Sequence, residues 1–127
     1  MLKTTNRKMM AVVSDLFFTV KINDAAKRAA MQTEFLLEPS QVMARVAEHQ
    51  PALIILDLNF DAANPLQLIQ QLKADANLKS INLIGYLSHI QAELKQKAQE
   101  AGCDMVMAKS AFSQNIQQIL KRYSGVI

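Results

Sequence analysis

The sequence predicts an α/β domain, a doubly wound five-stranded parallel sheet with strand order 2-1-3-4-5 and helices on both faces. Three observations predict it. Short apolar runs alternate along the chain with longer segments whose apolar residues recur every three or four positions. The run at 52–58 is nearly continuous Leu and Ile, the mark of a strand buried on both faces. Five such strand–helix units use up nearly all 127 residues, a common size for one domain. One domain is therefore expected over 1–127, with its core at about 8–124.

Residues 9–13 form the first apolar run, closed by Ser14 and Asp15. From Leu16 the period changes: Phe18, Ile22, Ala25 and Ala29 recur at spacings of four, three and four, one face of a helix. Core packing is expected for both Phe17 and Phe18. Residues 33–37 read as a second strand, stopped at Pro39, and Ser40 is expected to cap a helix carrying Val42, Met43 and Val46. Pro51 ends that helix and opens the third strand, 52–58. Asn64-Pro65 reads as an N-cap with proline at the first helical position, and Leu68, Ile69 and Leu72 as the buried face behind it. Residues 81–87 make a fourth strand, and Ser88 with Gln91 fits a capping box for the next helix. Gly102 stops that helix, and 105–108 is the fifth strand. Phe112, Ile116, Ile119 and Tyr123 repeat along a last helix, with Gly125 beyond its end.

Composition narrows the function classes. Half of the residues are hydrophobic and no Trp is present, which suits a core of Leu, Ile, Val, Met and Ala. The single cysteine, Cys103, excludes an intrachain disulfide and a multi-cysteine metal site, and is expected as a small buried packing residue. His49 and His89 have no partners at metal-ligand spacing and read as surface or loop histidines. No run is long enough to span a bilayer, and residues 1–8 are polar and basic, so a soluble cytoplasmic protein is expected. The net charge is +3, but the basic residues are scattered, so neither nucleic acid nor a membrane surface is an expected partner.

In a sheet of this kind ligands sit at the carboxyl ends of the strands, at the switch point between strands 1 and 3. That rule selects Asp15, Asp57, Asn59, Leu87, Ser88 and Lys109. Two carboxylates with a backbone carbonyl suit a hard cation such as Mg²⁺, and a lysine ammonium can neutralise a phosphoryl oxygen. A carboxylate in that setting can act as a nucleophile and form an acyl phosphate. Plainer readings stand beside these. Asp57 could be a solvated strand-end acid, Lys109 a surface charge, Asp15 the cap of the first helix, and Ser88 a helix cap.

Three segments, VVSD at 12–15, LIILDLN at 53–59 and AGCDMVMAK at 101–109, resemble the response-regulator receiver domains of two-component signalling. The resemblance runs over nearly the full length and implies the flavodoxin-like, CheY-like receiver fold. It implies Asp57 as phosphoacceptor, Asp15 as a second metal-binding acid, Asn59 as a main-chain ligand, Lys109 as the phosphoryl contact, and Mg²⁺ as cofactor. Four positions depart from the family pattern: Ser14 replaces an acid, Leu87 stands at the usual Ser/Thr position with Ser88 one residue late (a one-residue shift would instead bring the Ser88 hydroxyl to the phosphoryl group), Val106 replaces an aromatic, and Ser110 replaces a proline. Loss of the acid at Ser14 is expected to weaken the Mg²⁺ site.

The resemblance therefore implies a signalling module, not an enzyme. It would be a stand-alone receiver, taking a phosphoryl group from a histidine kinase or phosphotransfer protein and acting on a downstream protein through helix 4, strand 5 and helix 5. The departures support an alternative: a pseudo-receiver, binding a partner or forming a homodimer without phosphorylation. A flavin or nucleotide site is disfavoured because Ser14-Asp15-Leu16-Phe17 offers no Gly-rich phosphate loop.

Overall fold

The apolar runs at 9–13, 52–58 and 81–87 become strands because a layer of helices buries them on either side. The computed structural model describes residues 7–88 and 91–123; the readings at His89 and Gly125 lie outside the described residues. The strands are β1 (Lys8–Val12), β2 (Gln32–Phe35), β3 (Leu53–Asp57), β4 (Asn82–Leu87) and β5 (Met105–Ala108). The helices are α1 (Leu16–Arg28), α2 (Val42–His49), α3 (Pro65–Ala74), α4 (Ala92–Ala101) and α5 (Lys109–Tyr123). All strand pairs are parallel, in the order β2-β1-β3-β4-β5, as expected from the sequence. Among the described residues, no helix is long and apolar enough to cross a membrane.

Alternation along the strands divides the core in two. Met9, Ala11, Ile55, Ile84 and Tyr86 face α1 and α5, where they meet Phe18, Ile22, Phe112 and Ile116. Met10, Val12, Ile54, Leu56, Leu83 and Leu87 face the other layer, against Val42, Val46, Leu68, Ile69, Leu72 and Ala98. Leu53 to Leu56 are wholly buried, as a central parallel strand requires. The two aromatic neighbours of α1 part company: Phe18 is buried, but Phe17 is 91% exposed. One residue of helix turns the side chain through about 100°, off the face that Phe18, Ile22 and Ala25 bury.

Several helix ends differ from the local reading. Pro39 starts a 3-10 turn over Pro39–Gln41, so Ser40 lies inside that turn; Gln41 precedes α2 and makes no side-chain cap. Asn64 does stand before Pro65, but in the left-handed region, and its amide donates to Gln67 instead of capping α3. α2 ends at His49 because Gln50 turns left-handed (φ 46°) ahead of Pro51, which disfavours right-handed helix in the residue before it. His49 is half-buried, with Nε2 3.8 Å from Glu34, and is not a loop residue.

The α4–β5 junction is fastened by a charged contact the sequence did not disclose. Lys73 Nζ donates to Asp104 Oδ2 at 2.9 Å and to the carbonyls of Lys79 and Ile81. Asp104 Oδ2 also accepts the Leu83 amide, tying the approach to β5 to β4. Cys103 is buried beside this contact, and burial pushes its thiol up to about 11, as fits a packing residue. Gly102 caps α4 at φ 115°, and a β-carbon there would stand 2.7 Å from Lys73 Cγ. Gly102→Ala is therefore expected to cost about 1–2 kcal/mol, chiefly from backbone strain. Urea unfolding measures it; an unchanged midpoint would show that the junction tolerates a side chain.

Candidate functional site

The carboxyl edge of the sheet brings the selected residues together. Asp15 follows β1 and caps α1: its Oδ1 accepts the amides of Phe17 and Phe18 at 2.9 and 3.3 Å. Its other oxygen, Oδ2, takes the Lys109 ammonium at 2.5 Å, across 94 residues of sequence. Both carboxylate oxygens are thus engaged. The Lys109 hydrogen bond, helped by the two amides, holds the Asp15 carboxyl below its ordinary range.

Asp57 ends β3 half-buried, and burial raises its pKa despite an amide from Asn59 and the field of Lys109. The Asn59 amide donates to Asp57 Oδ1 at 2.9 Å; among the described residues no hydrogen bond reaches Oδ2. The Asn59 carboxamide in turn links two loops: Oδ1 accepts the Ser88 amide and hydroxyl at 2.8 and 3.0 Å, and Nδ2 donates to Gln91 Oε1 at 2.8 Å. Ser88 and Gln91 therefore do not form the expected capping box. α4 starts at Ala92 with Gln91 at its N-cap position, and both side chains are drawn to Asn59 instead.

Beneath these groups lies an aromatic floor. Tyr86 stacks on Phe112 with ring centres 5.6 Å apart and tilts against Phe18 at 4.8 Å. Lys109 Nζ sits 4.9 Å from the centre of the Phe18 ring, so the cation rests between a carboxylate and a π face. Sequence reasoning placed Phe18 and Phe112 in the core but gave Tyr86 no role. The signal was available, since Tyr86 is the strand position directly beside Asp57 in register.

The two strand-4 candidates point to different places. The Leu87 side chain is buried in the layer against α3 and α4, whereas the Ser88 hydroxyl is spent on Asn59. Val106 is buried in that same layer, and Ser110 lies exposed in the first turn of α5.

The donor chemistry fits a hard divalent cation. Asp15, Asp57 and the Asn59 carbonyl are oxygen donors, and that carbonyl, which accepts the Asp61 amide at 3.1 Å, keeps a second lone pair. Among the described residues no group of three His, Cys, Asp or Glu is assembled for a metal, so the main-chain oxygen and solvent would complete the set.

The two carboxylates should mark stability with opposite signs. Asp57 binds its proton more tightly when folded, so stability falls as pH rises above the ordinary value of 3.8 through the raised one. Asp57→Asn should accordingly unfold later than the parent at pH 7, with the advantage gone below the carboxylate range. Asp15 has a depressed pKa, so its contribution is present above 3.8 and is lost as pH falls. Asp15→Asn keeps a capping side chain, so it should be less stable at pH 7, with the deficit closing in acid. Urea midpoints across pH would contradict this assignment if the two variants moved together.

No family model matches the chain. It is 21% identical over 119 residues to the polar-differentiation response regulator DivK of Brucella ovis, covering 93% of this chain and 97% of that one. A response regulator from Hahella chejuensis superposes with a TM-score of 0.84 at 18% identity, covering 94% and 96% of the two chains. The receiver domain of the sensor histidine kinase PA1611 from Pseudomonas aeruginosa PAO1 superposes with a TM-score of 0.80 at 14% identity, over 95% and 99%. That structure has a magnesium ion coordinated in its active-site cleft. With the sheet order, the site position and these likenesses agreeing, the chain has the receiver fold of response regulators.

Proposed function

We propose that the chain is a receiver domain, with its core at about 8–124, that accepts a phosphoryl group on Asp57 in a cytoplasmic phosphorelay. One observation carries the reading: Asp57 is held by the Asn59 amide on Oδ1, while Oδ2 takes no hydrogen bond among the described residues. A carboxylate oriented through one oxygen can offer the other as nucleophile. An Oδ2 lone pair would form the O–P bond as the P–N bond of a phosphohistidine donor breaks. The imidazole keeps that electron pair and takes up a proton.

Lys109 would then move from Asp15 toward the new phosphoryl charge, since its ammonium pairs with Asp15 and its field already reaches Asp57. Mg²⁺, held by Asp15, Asp57 and the Asn59 carbonyl, would supply charge neutralisation when bound. Its affinity is expected to be low: Ser14 offers no carboxylate, and Lys109 competes for Asp15. The donor would be a histidine kinase or phosphotransfer protein. The output would be contact with a downstream protein across α4, β5 and α5, where α4 buries only Ala98.

A second reading rests on Leu87, whose buried side chain leaves no hydroxyl at the strand-4 position. There the chain is a phosphorylation-independent pseudo-receiver that holds a partner, or a second copy, constitutively. Its complex should survive Asp57→Ala with unchanged affinity.

Titration of Mg²⁺ and then beryllofluoride into ¹⁵N-labelled protein separates the two. The phosphoacceptor reading expects amide shifts at Asp15, Asp57, Asn59 and Lys109 that extend into α4 and α5, and their loss in Asp57→Asn. A silent spectrum at millimolar Mg²⁺ would overturn it in favour of the second reading.

A further inference from the structure

The site contains one polar group that the chemistry above leaves unused. Tyr86 and Asp57 are register partners on adjacent parallel strands, so their side chains leave the same face of the sheet. The Tyr86 ring is 1% exposed, packed between Phe18 and Phe112. Its hydroxyl is buried and has no hydrogen-bond partner among the described residues. An orphan buried hydroxyl is costly, and a buried tyrosine normally satisfies it.

The surrounding hydroxyls are already committed. Ser88 donates to Asn59, and Thr19 donates to the Asp15 carbonyl at 3.0 Å. Leu87 faces the opposite layer and offers none. Burial and the negative charges of Asp57 and Asp15 push the phenol upward, so it stays protonated and can only help an anion as a donor. Replacing the phenol by an aliphatic side chain would keep the core apolar, so packing alone does not account for an unpaired oxygen at this depth.

We propose that the Tyr86 hydroxyl is a binding donor for the oxyanion carried on Asp57, supplying from the neighbouring strand face the hydroxyl contact that Leu87 cannot make. This deepens the phosphoacceptor reading and rests on it. The ligand class is a tetrahedral phosphoryl group or its mimic. The phenol contributes a neutral hydrogen bond, complementary to the cation of Lys109 and separate from any metal ligand.

Beryllofluoride affinity, measured at saturating Mg²⁺ in the full chain, tests the assignment. Tyr86→Phe keeps the ring and its stacking, and should weaken binding about tenfold while leaving Mg²⁺ affinity unchanged. A second measurement guards against a packing effect. Fluorotyrosines of rising acidity, incorporated in a Tyr123→Phe background so that Tyr86 alone is labelled, should bind beryllofluoride progressively tighter. A merely structural tyrosine would show no such trend. Binding by the parent with an unchanged constant in Tyr86→Phe, or with no dependence on phenol acidity, overturns the role of Tyr86 and leaves Asp57 as phosphoacceptor. No binding by the parent overturns both.

Discussion

The burial of β3 on both faces is the constraint from which the rest of the structure follows. Leu53, Ile54, Ile55 and Leu56 have no exposed surface, and each contributes about 1.5–3 kcal/mol by leaving water. Net stabilities of small domains are only about 5–15 kcal/mol, so a second helical layer is a condition of folding. With helices on both sides, the strands must be joined by crossovers, and crossovers make the sheet parallel. A parallel sheet aligns every strand end at one edge. Asp57 is simply the residue at which β3 stops being buried, and this placement gives it both its raised pKa and its access to solvent.

Charge at that edge is distributed by competition for one ammonium. Lys109 is shared geometrically with Asp15 and electrostatically with Asp57. Asp15 wins the contact because it is already fixed by two helix amides, so little further freedom is lost on pairing. The consequence is a division: one carboxylate fully engaged with its pKa lowered, the other half-desolvated and singly held. The aromatic floor sharpens the division. Phe18, Tyr86 and Phe112 exclude water below the site, which raises the cost of charge on Asp57 while Phe18 offers its face to the lysine.

In the other layer apolar side chains fill the space under the ends of β4 and β5. Leu87 and Val106 both pack toward α3 and α4. On that side the Asn59 carboxamide, with its bonds to Ser88 and Gln91, is the polar connection among the described residues between the site and the α4–β5 surface. Any event at Asp57 that disturbs Asn59 therefore pulls directly on the entry to α4. This helix has one buried residue and so little packing to resist it.

The sequence by itself determined the architecture and the identity of the edge residues. Period-two and period-four patterns depend on which side chains are apolar, and that information is local, so five strands, five helices and the places of Asp15, Asp57, Asn59 and Lys109 could be read directly. Tertiary structure decided which partner each polar group took. Ser40 and Ser88 carry good capping side chains, but a proline turn absorbed the first and Asn59, 29 residues away in sequence, captured the second. Phe17 turned outward because the neighbouring Phe18 face met β4 and α5. Lys109 chose Asp15 over Asp57, and Tyr86 became an unpaired phenol, only once strands distant in sequence lay side by side. Hydrogen bonds are short-ranged and directional, so their pairing is settled by three-dimensional proximity, which no local pattern encodes.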